Sequence, residues 1–235
     1  MIPARGGSKG VPRKNLAPLA GRPLLTYIVE SAQAAAGIMH LIVSTDDEAI
    51  VRVATTAGAH VPELRPAALA DDHVSLVAVS RYALTWADAA GLNPEWVLSL
   101  QPTAPFLKPA TIERAIALVR DTGCDSAATV VPVEHHHPYR ILNRLDDGRV
   151  TFRDPESAAV HPQRQDLPPV FSFTGGLYLR CRRVLEKWEG KGWALGTDCR
   201  GVDVSLLEAV NIDTPMDLAF ANFLMKNEET RLAIS

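Results

Sequence analysis

A chain of 235 residues, 47% hydrophobic and 22% charged, is long enough to bury a core as a single globular unit. Its 24 Lys and Arg against 27 Asp and Glu leave a formal net charge of −3, so no global basic field exists to recruit nucleic acid. No apolar run approaches the roughly 20 residues that a membrane-spanning helix needs, and the start, Met1-Ile2-Pro3-Ala4-Arg5, has no signal-peptide core. Cys124, Cys181 and Cys199 are widely spaced and odd in number, which indicates neither a disulfide framework nor a zinc site and points to the cytoplasm.

Short β-branched runs alternate with longer segments of helical period. Ile2-Pro3-Ala4 ends a first strand that is very short. Pro23 to Ala36 reads as a helix, with Leu24, Leu25, Ile28 and Ala32 near 3.6 spacing, and His40 to Thr45 as a buried strand. Asp46 or Asp47 is placed to cap a helix running to about Ala57. Helices follow at Ser75 to Ala90 and Pro109 to Arg120, and strands at Trp96 to Leu100 and Ser126 to Val133. The rhythm then breaks: residues 135–173 carry charges, prolines and a hairpin turn at Asp146-Asp147-Gly148, too long for an ordinary loop. This segment reads as a β-rich excursion from the sheet. The alternation resumes at Gly176-Leu177-Tyr178-Leu179 and closes in a helix from about Pro215 to Lys226. The pattern predicts an α/β fold: a doubly wound, mostly parallel, Rossmann-like sheet, with residues 1–235 forming one domain.

The most informative segment runs from Ala4 to Asn15, Ala-Arg-Gly-Gly-Ser-Lys-Gly-Val-Pro-Arg-Lys-Asn. In an open α/β sheet the loop at the C-terminal end of a strand is where ligands bind. Gly6, Gly7 and Gly10 let backbone N–H groups approach phosphate oxygens, and Arg5, Lys9, Arg13 and Lys14 can neutralise a polyphosphate. The loop matches neither G-x-x-x-x-G-K-[ST] nor G-x-G-x-x-G, so a Walker ATPase and a dinucleotide site are both disfavoured. A solvated basic loop is the plain alternative.

This loop resembles the signature of the N-acylneuraminate cytidylyltransferases. The resemblance extends through Ser44-Thr45-Asp46-Asp47, Leu64 to Asp71 and Leu100-Gln101-Pro102-Thr103-Ala104-Pro105. It continues in Glu134-His135-His136-His137-Pro138 with Arg140, and in Arg164-Gln165-Asp166-Leu167-Pro168. It implies a nucleotidyltransferase-type fold with a dimerisation extension at residues 135–173. It implies transfer of CMP from CTP to the anomeric hydroxyl of a sialic-acid-like, nine-carbon nonulosonic acid, with release of pyrophosphate and use of Mg²⁺ or Mn²⁺. Arg5, Gly6, Gly7, Ser8, Lys9, Lys14 and Asn15 would hold the triphosphate, with Arg5, Lys9 and Lys14 stabilising the leaving group. Arg65 and Ser75 would help hold the cytidine part. Gln101, Arg140, Arg164 and Gln165 would face the sugar, and a homodimer would form. Transfer to another acidic sugar, or nucleotide binding without catalysis, are the alternatives.

Asp213, in Val210-Asn211-Ile212-Asp213-Thr214-Pro215, is the best candidate metal ligand, and it or Thr214 is equally placed to cap the following helix. The family's usual Asp-Ile-Asp-Thr is here Asn211-Ile212-Asp213-Thr214: an amide can ligate through oxygen, but without charge. Phe171-Ser172-Phe173-Thr174-Gly175-Gly176 also departs from the family pattern, which bears on the identity of the sugar. His135-His136-His137 is poorly spaced for a metal, since neighbours on an extended chain point to opposite faces. Asp46-Asp47 and Asp71-Asp72 read first as caps or turns, and second as metal or nucleotide contacts.

Overall fold

The computed structural model describes residues 1–133 and 136–227. Glu134 and His135, which carry part of the family resemblance, lie outside the described residues.

β1 (Ile2–Pro3) pairs parallel with β4 (Val43–Ser44). Between them lie a small hairpin, β2 (Pro18–Leu19) with β3 (Arg22–Pro23), and α1 (Leu24–Ala34). After β4 the chain forms α2 (Glu48–Thr56), α3 (Leu76–Ala89), β5 (Trp96–Leu100), α4 (Pro109–Thr122) and β6 (Ser126–Pro132). The strand expected over His40 to Thr45 is regular only at Val43–Ser44, with single bridges from Ile42 to His60 and from Thr45 to Leu64.

The excursion contains β7 (Leu142–Arg144), β8 (Val150–Phe152) and α5 (Pro155–Val160). The hairpin turn falls where expected, with Gly148 N–H donating to the Leu145 carbonyl (2.9 Å). The segment is less β-rich than its composition suggests, because Asp154 accepts the Ser157 N–H and starts the short helix α5. The chain returns as β9 (Phe171–Cys181), then α6 (Arg182–Glu186), β10 (Cys199–Asp203) and α7 (Pro215–Lys226).

The strand order is β10-β6-β9-β5, and Leu100 N–H donates to the Met1 carbonyl (3.0 Å), which sets β5 beside β1, on which β4 is paired. β6 and β10 are parallel, whereas β9 runs antiparallel to both β5 and β6. The reversal follows from the excursion: the chain leaves the sheet at the end of β6 and re-enters at that same end, so the returning strand must run backwards. Helices cover both faces. Leu25, Ile28, Ile50, Ile112 and Ala115 from α1, α2 and α4 pack on Ile2, Val43, Leu100, Leu177 and Leu179. On the other face, Val77 and Leu84 of α3 meet Val97 and Leu185. This is the doubly wound arrangement that the alternation predicts.

Candidate active site

The loop after β1 is folded by its own side chains. Ser8 Oγ donates to the Val11 carbonyl (2.6 Å) and accepts the Lys14 N–H (2.9 Å), closing the turn. Buried Asn15 donates to the Arg5 carbonyl (2.8 Å) and pins the far end of the loop to the near end. Gly6 N–H donates to Asp46 Oδ1 (2.9 Å) at the end of β4, and a Cβ there would lie 2.8 Å from the Asp47 side chain. At Gly10 a Cβ would lie 2.0 Å from the Asp213 carbonyl oxygen. The first and third glycines of the motif therefore allow the loop to dock against two neighbouring segments. Gly7 faces open space.

Each cation of the loop meets a carboxylate. Arg5 and Lys9 both pair with Asp72 (2.5 and 2.6 Å), Arg13 with Asp47 (3.1 Å) and Lys14 with Asp213 (2.8 Å). The hydrogen bond from Lys9, reinforced by Arg5, holds the Asp72 carboxyl below the usual carboxylate range, and Asp72 in turn raises Lys9. The pairs at Lys9 and Arg13 are exposed and contribute little net stability, so a polyphosphate can replace those carboxylates at small cost. Lys14 differs: its side chain is 15% exposed against 81% for Lys9, and its Nζ also donates to the Ile212 carbonyl (2.9 Å).

Arg65 is buried, its N–H donating to the Thr45 carbonyl (2.7 Å), with Asp46 3.8 Å from its guanidinium. Burial lowers its pKa, Asp46 opposes that, and its Nε has no partner. Ser75 caps α3, its Oγ accepting the Ala78 N–H (3.2 Å). Gln101 follows β5, its N–H on the Gly176 carbonyl (2.9 Å), while Ile212 N–H donates to the Thr103 carbonyl (2.8 Å). The loop after β5 thus lies against the Asn211–Asp213 segment.

The capping reading of Asp213 and Thr214 is settled locally. Thr214 is the N-cap of α7 and forms a capping box with Asp217, so the Asp213 carboxylate has no capping role. It takes Lys14 on Oδ1 and the Asn211 amide on Oδ2 (3.0 Å). Asn211 Oδ1 is buried and without a partner. Among the described residues no cluster of three or more His, Cys, Asp or Glu is arranged to hold a metal. His137 has a structural role, its Nε2 on the Pro168 carbonyl (3.0 Å) and its Nδ1 accepting the Tyr139 N–H.

Arg140 and Gln165 make their hydrogen bonds within the excursion: Arg140 donates to the Pro162 carbonyl (3.1 Å) and Gln165 bonds Gln163, while Arg164 is exposed on a 3-10 turn. The site residues that sequence reasoning placed second are Asp46, Asp47 and Asp72. Asp47 does cap α2, accepting N–H groups from Ala49 and Ile50, but it also takes Arg13. Asp71 makes the turn, with Oδ1 accepting the His73 N–H, while its neighbour Asp72 takes the loop cations.

A glycine-rich cationic loop at the ends of parallel strands, in a doubly wound sheet, defines a nucleotide-binding protein of the polyphosphate-handling class. The cytidylyltransferase family model matches residues 1–184. A CMP-N,N'-diacetyllegionaminic acid synthase of Legionella pneumophila is 32% identical over 97% of each chain. A pseudaminic acid cytidylyltransferase of Campylobacter jejuni is 28% identical over 96% of this chain and 95% of its own. A solved structure of CMP:2-keto-3-deoxy-manno-octonic acid synthetase complexed with CTP shares the fold, with TM-score 0.70 and 20% identity over 96% of each chain. The chain belongs to the cytidylyltransferase family and is a nucleotidyltransferase.

Proposed function

We propose that this protein transfers CMP from CTP to the anomeric hydroxyl of a sialic-acid-like nonulosonic acid and releases pyrophosphate. The observation that carries the reading is the loop itself: it carries Arg5 and Lys9, both paired to Asp72, and Lys14, paired to Asp213, and it docks through Gly10 against Asp213. Membership of the family supports CTP as the donor. The full-length relatives, named for legionaminic and pseudaminic acids, support the class of acceptor.

The chemistry asks for position and charge more than for covalent catalysis. The anomeric oxygen forms a bond to the α-phosphorus as the bond to the pyrophosphate oxygen breaks, and the hydroxyl proton is lost. Arg5, Lys9 and Lys14 neutralise the charge growing on the leaving pyrophosphate. The backbone N–H of Gly7 is placed to cradle phosphate oxygens, whereas Gly6, its N–H taken by Asp46 Oδ1, serves by docking the loop, with Ser8 and Asn15 fixing the loop's shape. Arg65, with its unpartnered Nε, serves the cytidine side together with the start of α3 at Ser75. Gln101 faces the sugar, and Arg140, Arg164 and Gln165 recognise its carboxylate and hydroxyls, a guanidinium being suited to a carboxylate.

Asp213 and Asn211 fit a hard divalent cation, because both offer oxygen and Asn211 Oδ1 is buried without a partner. They would hold Mg²⁺ or Mn²⁺, which when bound would neutralise phosphate charge and ease ionisation of the attacking hydroxyl. We read residues 135–173 as a dimerisation extension, with Arg140 or Arg164 reaching the second subunit's site in a homodimer. Three free cysteines support a cytoplasmic location.

The test is pyrophosphate release with CTP, UTP, ATP and GTP against a panel of nonulosonic acids and the eight-carbon acid of lipopolysaccharide. Release with CTP and one nonulosonic acid is expected. Binding of CTP without release for any acid would replace this reading with nucleotide binding alone.

A further inference from the structure

The Asn211–Asp213 segment is held rigidly. Ile212 is fully buried, its N–H is on Thr103 and its carbonyl accepts Lys14. Asn211 and Asp213 are therefore fixed on either side of it, and their side chains meet: Asn211 Nδ2 donates to Asp213 Oδ2 at 3.0 Å. The other Asp213 oxygen takes Lys14 at 2.8 Å. In this arrangement the Asp213 carboxylate is oriented and neutralised by the protein's own groups.

A carboxylate at position 211 would behave differently. It would place a second negative charge at hydrogen-bond distance from Asp213, an arrangement that is unfavourable unless a proton or cation lies between the two. The amide removes that repulsion and replaces it with an attraction. Its remaining acceptor, Oδ1, is buried and has no hydrogen-bond donor, and a hard cation reaching it would supply the missing partner, though the oxygen brings no charge.

Resting on the functional reading above, we propose that Asn211 is a positioning residue that makes cation binding depend on CTP. Without nucleotide it holds Asp213 in place and leaves one carboxylate, already paired to Lys14, to attract an ion. With nucleotide, phosphate oxygens complete the ligand set, and Asn211 Oδ1 and Asp213 supply the protein's share. The cation thus enters with the triphosphate rather than waiting on the free protein.

Mn²⁺ titration followed by electron paramagnetic resonance tests this on the full chain, with and without CTP, alongside CTP retention measured directly. For the nucleotide-free protein, Asn211→Asp is expected to tighten Mn²⁺ by about ten- to a hundredfold, since charge count sets affinity at such sites. In the same protein, adding Asp213→Asn should return affinity to the wild-type range, as one carboxylate remains. Equal Mn²⁺ affinity of wild type and Asn211→Asp without CTP would overturn the proposal. Should Asn211→Asp fail to fold, wild type alone decides: Mn²⁺ as tight without CTP as with it would overturn the proposal. Failure of the wild type to retain CTP at all would instead overturn the functional reading.

Discussion

Lys14 is the loop cation whose environment sets it apart. It is the least exposed of the ion-paired loop cations, and it bridges the loop to the Asp213 segment through two oxygens. Arg13 sits at the opposite extreme, 60% exposed and paired to a carboxylate that already caps α2. Removing a charged stabiliser of the leaving group typically costs about 10²–10³ in rate. Lys14→Met is therefore expected to lower kcat by that factor, and Arg13→Ala by less than about tenfold, as for other exposed pairs. Steady-state kinetics on both variants check this, and equal losses would contradict it. The loop was legible because its chemistry is local: glycines and cations in twelve consecutive residues admit few other readings. Asp72 was not. It lies beyond a 3-10 turn in a stretch without periodicity, and only the fold brings it to Arg5 and Lys9 from more than sixty positions away.

Among the elements, the foot of the sheet depends on one carboxylate. Asp125, just before β6, accepts N–H groups from Thr197 (2.9 Å) and Asp198 (3.2 Å) and pairs with Arg183 beyond β9. A Cβ at Gly196 would lie 2.4 Å from Asp125, so the loop before β10 closes directly on it. The N–H donors of Thr197 and Asp198, foremost, hold its carboxyl below the usual carboxylate range. A carboxyl with a depressed folded pKa stabilises fully above its unfolded value, about 3.9, and loses that contribution as pH falls through the folded value. Asp125→Asn should therefore unfold at lower temperature than wild type at pH 7, with the gap narrowing below about pH 4. Thermal unfolding across pH shows which holds; a gap that stayed constant down to about pH 2.5 would contradict the assignment. The elements themselves were largely legible, Trp96–Leu100 and Pro215–Lys226 to the residue, because periodicity and caps are local signals. The direction of β9 was not, since an apolar run reads the same whichever way its strand lies in the sheet.

At the scale of the whole molecule, the excursion is the feature that a single chain leaves unexplained. Leu142, Val150, Phe152 and Phe171 are all exposed there, and the cleft beside them, about 810 Å³, is lined by Ile141, Phe171 and Leu206 among others. In the proposed homodimer these exposed apolar side chains are the surface that the second subunit covers. Sedimentation should show a dimer, and Phe152→Glu should give a monomer with reduced turnover, because Arg140 and Arg164 would no longer reach a second site. Full activity of a monomer at nanomolar concentration would contradict this. The most direct test of the central claim follows the phosphorus. CTP labelled at the α-phosphate is incubated with protein, Mg²⁺ and the accepted nonulosonic acid. The account predicts that all transferred label appears in the CMP-sugar and none in pyrophosphate. Unlabelled sugar product, or label in a CDP-sugar with release of inorganic phosphate, would contradict attack at the α-phosphorus.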